Sequence, residues 1–127
     1  MDLFVTQPFI AAYGAQADYF EGMQSKIPDA GLRLKRLQER LSRHTLPLLQ
    51  NQPGLGRPST IPKTGETVQM KADIGTLMAI AVPEIARAQA SLREYVDKDF
   101  NVLYAVTTDA VFIISLKNQR RLRYLLH

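Results

Sequence analysis

The 127-residue sequence predicts a single α+β domain, and three observations support this fold class. Apolar residues recur at helical spacing through the first 50 positions, whereas apolar runs after position 92 have the length and alternation of strands. Apolar residues make up 46% of the chain and charged residues 22%, a globular composition that excludes disorder throughout. Because this length supports one hydrophobic core, the domain is predicted to span residues 1–127.

The first half predicts a strand followed by an antiparallel helical hairpin. Leu3–Thr6 is a short apolar stretch of strand size. Apolar spacing predicts helices over about 8–24 and 28–49, with Pro28 in the first turn of the second and Pro47 kinking or fraying its last turn. The core is expected to include Phe20, Leu34, Leu37, Leu41, Val102, Tyr104, Ile113 and Leu116.

The middle of the chain predicts a loop and a broken helix. Residues 50–67 contain three Pro and three Gly, which indicates a loop, and Gly54 and Gly56 are expected to adopt positive φ angles there. Ile74–Ala81 predicts a short helix that breaks near Pro83, where a further helical turn begins.

The second half predicts a small antiparallel sheet that includes residues 92–96, 100–107 and 110–116. The continuous apolar run Ala110–Leu116 is typical of a strand buried on both faces. A short basic segment, Asn118–Leu126, is predicted to be helical. The sheet is therefore expected to carry the hairpin on one side and to end in a basic tail.

Composition excludes several function classes. The chain has no Cys and two His, so disulfides, thiolate metal sites and His-rich metal sites are excluded, and we expect no metal and no cofactor. No apolar run reaches the roughly 18 residues of a membrane span, and no secretory signal is visible, so a cytoplasmic protein without membrane contact is expected. Basic residues concentrate in 26–49 and after Leu116, which indicates an acidic partner, either nucleic acid or protein.

The order of short motifs along the chain resembles one known family. The motifs are Gln52-Pro53-Gly54-Leu55-Gly56-Arg57-Pro58, then Leu92-Arg93-Glu94, Phe100–Val106, Val111–Ile114, and Lys117-Asn118-Gln119-Arg120-Arg121. Following a helical hairpin, this order resembles the RelE/ParE superfamily, the toxins of bacterial type II toxin–antitoxin modules. The resemblance leaves residues of about 64–90 as a probable insertion.

The resemblance implies one of two activities. RelE-like members are ribosome-dependent mRNA endoribonucleases, and the resemblance would make Arg120 and Tyr124 catalytic. However, Asn101 and Asn118 stand where such members often carry Arg, and the Lys residues expected before Leu92 are absent. The ParE-like class is therefore favoured, which implies a growth-inhibiting, plasmid-stabilising toxin that inhibits DNA gyrase and replication without enzymatic activity.

A ParE-like toxin would have a cognate antitoxin as a partner, within a toxin–antitoxin hetero-oligomer, and a homodimer is also possible. The residues predicted to bind target or antitoxin are Arg33, Arg36, Arg40, Arg57, Arg93, Lys117, Arg120, Arg121 and Arg123. Simpler interpretations stay open: Arg93 pairs with Asp97 or Asp99, and Arg57 satisfies loop carbonyls. A small basic nucleic-acid-binding module is a second alternative, although aromatic residues make up only 8% of the chain.

Overall fold

A computed structural model describes residues 1–22, 30–58, 75–97 and 100–118, and places helices on both faces of a mixed sheet. The helices are α1 (Gln7–Gly22), α2 (Ala30–Arg40), α3 (Leu46–Asn51), α4 (75–81) and α5 (Glu84–Arg87), with a π-helical turn at Leu41–Thr45 and a 3-10 turn at Pro53–Leu55. The strands are β1 (Asp2–Val5), β2 (Arg57–Pro58), β3 (Ser91–Val96), β4 (Phe100–Val106) and β5 (Ala110–Asn118). The predicted α+β class is confirmed.

Within the described ranges the sheet has five strands in the order β1-β5-β4-β3-β2. Strands β3 to β5 pair antiparallel, as predicted, and β2, which lies within the predicted loop 50–67, pairs antiparallel with β3. Strand β1 pairs parallel to β5, so the prediction of a wholly antiparallel sheet is wrong. The reason is connectivity: a tight turn at Thr107 joins β4 to β5 and imposes antiparallel pairing, whereas no hairpin joins β1 to β5.

The first face of the sheet, which carries α1 to α3, holds the larger core cluster. Its buried members are Phe9, Leu41, Leu49, Phe100, Val102, Tyr104, Val111, Ile113 and Leu116, and Leu37 packs against them partly buried. Two predicted core residues, Phe20 and Leu34, are only half-buried. For Phe20 the reason is its place in the helix, because burial in α1 is confined to Pro8, Phe9, Ala12 and Gln16.

The second face of the sheet is covered by the segment 75–90. Leu77 and Val82 are fully buried there with Leu103 and Ile114, so this segment completes the core. The predicted short helix and its break at Pro83 are confirmed by α4 and α5, and β5 is buried on both faces as expected.

The second predicted helix continues to Asn51 through a π-helical turn. The Leu46 N–H donates to the Leu41 carbonyl, five residues back, and Pro47 lies in the first turn of α3. Proline has no N–H to donate to the helical turn before it, and the irregular π-helical turn lies directly there. The chain stays helical through Pro47 to Asn51, so of the two outcomes expected at Pro47, a kink or fraying, the fraying does not occur. The predicted tail helix lies outside the described residues except Asn118, which belongs to β5.

Between α1 and the end of α2 lies an open apolar groove. Its cavity volume is about 380 Å³, and its lining residues are Val5, Phe9, Ile10, Tyr13, Gln38, Leu41, Ser42 and Leu46. The start of α1 therefore lies beside the end of α2. Among the described residues no helix is both long enough and apolar enough to cross a membrane.

Candidate interaction site

The Pro-Gly-Leu-Gly turn is held by two side chains that stand opposite each other on neighbouring strands. Arg93 of β3 and Tyr104 of β4 are register partners. The Tyr104 hydroxyl donates to the Pro53 carbonyl at 2.8 Å and accepts from the Gly56 N–H at 2.8 Å. A buried tyrosine needs a partner for its hydroxyl, and this turn supplies both a donor and an acceptor. The turn is therefore a fixed part of the fold.

Arg93 adds the second attachment. Its guanidinium donates from Nε to the Gly56 carbonyl at 2.8 Å and from Nη2 to the carbonyls of Gly56 and Gly54, the latter at 3.0 Å. Arg93 therefore bonds to the carbonyls of the turn and not to Asp97, while Asp99, the other predicted partner, lies outside the described residues. Arg93 was predicted to bind a partner, but its donors serve the turn.

The two glycines of the turn do not have the predicted backbone conformation. No glycine among the described residues has a positive φ, and Gly56 is extended, with φ −69° and ψ 159°. Gly56 is required for space: a Cβ there would lie 2.4 Å from the Tyr104 hydroxyl oxygen and 2.8 Å from the Glu94 carbonyl oxygen. Gly54 has no atom within 4 Å of such a Cβ.

Burial raises the pKa of Tyr104 above its ordinary value, although hydrogen bonds to Gly56 and Arg93 act in the opposite direction. A neutral hydroxyl is therefore retained near neutral pH, where it is needed as the donor to Pro53. The neighbouring guanidinium of Arg93 is a donor and takes no proton from the hydroxyl. Its role is to hold the turn.

A polar patch occupies one end of the second face, formed by Arg57, Glu94, Asn101, Ser115 and Lys117. The Arg57 guanidinium contacts Glu94 Oε1 from Nη2 at 2.7 Å and from Nε at 3.2 Å, and the Arg57 side chain is 66% exposed. Lys117 stands opposite Asn101 in register, and Ser115 stands opposite Leu103. Arg57 and Lys117, both predicted binding residues, therefore lie on the same face of the sheet.

Two members of the patch have buried atoms without a hydrogen-bond partner. These are Asn101 Oδ1 and Ser115 Oγ, in side chains that are almost fully buried. An amide and a hydroxyl cannot supply the positive charge that a reacting phosphate requires. Among the described residues, the charged groups of the patch are Arg57, Glu94 and Lys117.

Arg40 differs from Arg33 and Arg36, the other two arginines of α2 that were predicted to bind a partner. Arg40 forms a two-point ion pair with Asp97, at 2.9 Å from Nε to Oδ2 and 3.1 Å from Nη2 to Oδ1, and this hydrogen bonding raises the pKa of Arg40. Thr45 also donates to Asp97 Oδ2 at 3.1 Å. Arg40, predicted to bind a partner, therefore has a structural role. Arg33 and Arg36 are exposed.

Four of the predicted site residues, Arg120, Arg121, Arg123 and Tyr124, lie outside the described residues. The residues that sequence reasoning missed are Glu94, Asp97 and Ser115. Of the contacts in this site, the sequence could have indicated only that the Tyr104 hydroxyl has a hydrogen-bond partner, because a tyrosine predicted to be buried must find one.

No family model, no curated protein and no solved structure matches this chain.

Proposed function

We propose that this chain is the toxin of a bacterial type II toxin–antitoxin system, of the ParE-like class within the RelE/ParE superfamily. It inhibits DNA gyrase and replication, and a cognate antitoxin neutralises it. Three consecutive features support the proposal: helices α1 and α2 in contact, the anchored turn Pro53–Gly56 after them, and the antiparallel strands β3 to β5. The start of α1 lies beside the end of α2, which supports the helical hairpin of this family.

The observation that carries the ParE-like choice is the buried amide of Asn101. RNA cleavage at a 2′-hydroxyl needs cations beside the phosphate, and each missing electrostatic donor typically lowers such a rate by about 10²–10³. With Asn101 buried and Asn118 in place of a second Arg, the nuclease would lack two donors. A toxin that acts by contact needs no such donors.

The exposed basic side chains supply the means of contact. Arg33 and Arg36 project from α2, and Arg57 is exposed at the edge of the polar patch. Gyrase trapped on cleaved DNA presents a strongly negative surface, which attracts such side chains over several ångströms. Binding is therefore expected to weaken as salt concentration rises.

Purified chain is expected to block supercoiling of relaxed plasmid by gyrase, and induced cells should show DNA damage and filamentation. Relaxation of the same plasmid by a type I topoisomerase is the control and should continue. Ribosome-bound mRNA, followed by primer extension, should stay intact. Cleavage at A-site codons that is lost in Arg120→Ala or Tyr124→Phe would contradict the proposal and establish the RelE-like alternative, which Lys117 beside Asn101 favours.

The tail is expected to contribute to binding of antitoxin or target. Replacement of Arg120, Arg121 and Arg123 together by Glu should weaken the antitoxin complex or abolish toxicity, since an acidic segment that folds on binding depends on these charges. Growth after induction and affinity for the antitoxin measure the two effects. The matched control, with the same change in net charge and outside both basic segments, is replacement of Lys63, Lys71 and Lys98 by Glu. Unchanged affinity and toxicity in the tail variant would remove the tail from both roles.

A further inference from the structure

Strand β1 has one hydrogen-bonding edge that no described residue pairs with. Its Asp2 N–H donates to the Asp109 carbonyl and its Thr6 N–H to the Ile113 carbonyl, both at 3.1 Å. Because backbone groups of successive strand residues point to opposite sides, Leu3 and Val5 direct their N–H and C=O groups away from β5. In the described part of the chain, β1 is an edge strand with two outward-facing residues.

The side chains of β1 are apolar and exposed to an unusual degree for such an edge. Phe4 is 48% exposed while its ring stacks on Phe112 at 5.2 Å, and Val5 is 43% exposed at the apolar groove. Natural sheets protect exposed edges with short strands, charged side chains, Pro or a β-bulge. Strand β1 is short and carries Asp2 at its start, but its outward-facing part, Leu3–Val5, contains no charge, Pro or bulge, and such an apolar edge is a template for another strand.

We propose that β1 pairs antiparallel with β1 of a second copy of this chain and joins the two sheets across a two-fold axis. The axis passes beside Phe4, so that Phe4 faces Phe4 of the second copy and Leu3 faces Val5. The outward N–H and C=O groups of Leu3 and Val5 then form the hydrogen bonds of the new ladder. Side chains opposite each other share a face, so both sides of the junction are apolar.

An antiparallel register with the axis beside Leu3 is disfavoured by Gln50. That register requires the Met1 carbonyl to accept from Val5 of the second copy in addition to the hydrogen bond that it already accepts from Gln50 Nε2 at 2.9 Å. The favoured register leaves this bond intact and places Asp2 opposite Thr6. The two Asp2 carboxylates then lie at opposite ends of the ladder and do not repel each other.

A second copy fits this edge because the pairing is self-complementary, as a two-fold interface requires. Four residues of β1 alone bury less than the roughly 1,200 Å² of a stable interface. The apolar groove that begins at Val5 and includes the half-exposed Ile10 extends the surface on the first face. The dimer is therefore expected to be weak and to depend on protein concentration.

Sedimentation and amide hydrogen exchange of the full chain test this pairing. Between about 5 µM and about 300 µM, the mass should shift from 14.3 kDa towards twice that value. Over the same range, exchange of the Leu3 and Val5 amides should slow by about threefold, because protection follows the falling fraction of monomer. The Thr6 amide, which is bonded to Ile113 within the monomer, is the internal control and should exchange slowly at both concentrations.

The variant Val5→Lys should keep the chain monomeric at the higher concentration, because Lys at an edge opposes strand addition. Val96→Lys is the matched control, since Val96 is 45% exposed in β3 and lies away from β1. A chain that stays monomeric at both concentrations would overturn the proposal. A dimer that survives Val5→Lys, or that leaves the Leu3 and Val5 amides unprotected, would overturn it equally.

Discussion

Replacement of Gly56 by Ala is expected to lower the free energy of unfolding by about 3 kcal/mol, since overpacking typically costs about 1–3 kcal/mol and lost hydrogen bonds add to it. The new Cβ would lie 2.4 Å from the hydroxyl oxygen and 2.9 Å from Cε1 of Tyr104. Tyr104 is fully buried and cannot retreat, so the turn must move away from it. That movement breaks the bonds from Tyr104 and Arg93 to the turn. Chemical denaturation measures the change.

Gly54→Ala is the matched control, because the same methyl group meets no atom within 4 Å there. It should change the free energy of unfolding by less than about 1 kcal/mol. In a Tyr104→Phe background the closest contact is gone, so Gly56→Ala should be less destabilising than in the native chain. Equal effects at Gly54 and Gly56 would show that the anchored turn does not limit stability.

The elements that sequence could predict are those whose signal is local. The run Ala110–Leu116 is apolar without alternation, and β5 is buried on both faces. Pro83 cannot continue the hydrogen bonding of α4, and a new helical turn begins directly after it. In both cases a few neighbouring residues decide the conformation, whatever lies elsewhere in the chain.

The contacts of the candidate site join residues that are distant in sequence, so local patterns did not predict them. Arg33, Arg36 and Arg40 have the same pattern on a basic helix. What sets Arg40 apart is its ion pair with Asp97, which lies 57 residues away in sequence. Arg93 meets carbonyls 37 and 39 residues away. The parallel pairing of β1 likewise depends on where the first and last described strands meet, which no local pattern encodes.

Replacement of Arg40 is expected to lower the free energy of unfolding more than neutralisation of Asp97, its ion-pair partner. The Asp97 side chain is 3% exposed, whereas that of Arg40 is 41% exposed. Arg40→Met would leave a buried carboxylate with the Thr45 hydroxyl but without its cation, and such a charge is strongly unfavourable. Asp97→Asn would instead leave Arg40 able to reach water, at a cost of about 1–2 kcal/mol for weakened hydrogen bonds.

The double variant Arg40→Met with Asp97→Asn gives the sharper test, because the expected sign is unusual. Adding Asp97→Asn to Arg40→Met should raise the free energy of unfolding, since a neutral amide needs no cation and still accepts from Thr45. The same Asp97→Asn change in the native chain should lower it. Thermal and urea unfolding of the four proteins give the coupling directly. A destabilising effect of Asp97→Asn in both backgrounds would contradict the view that the buried charge makes Arg40 indispensable to the fold.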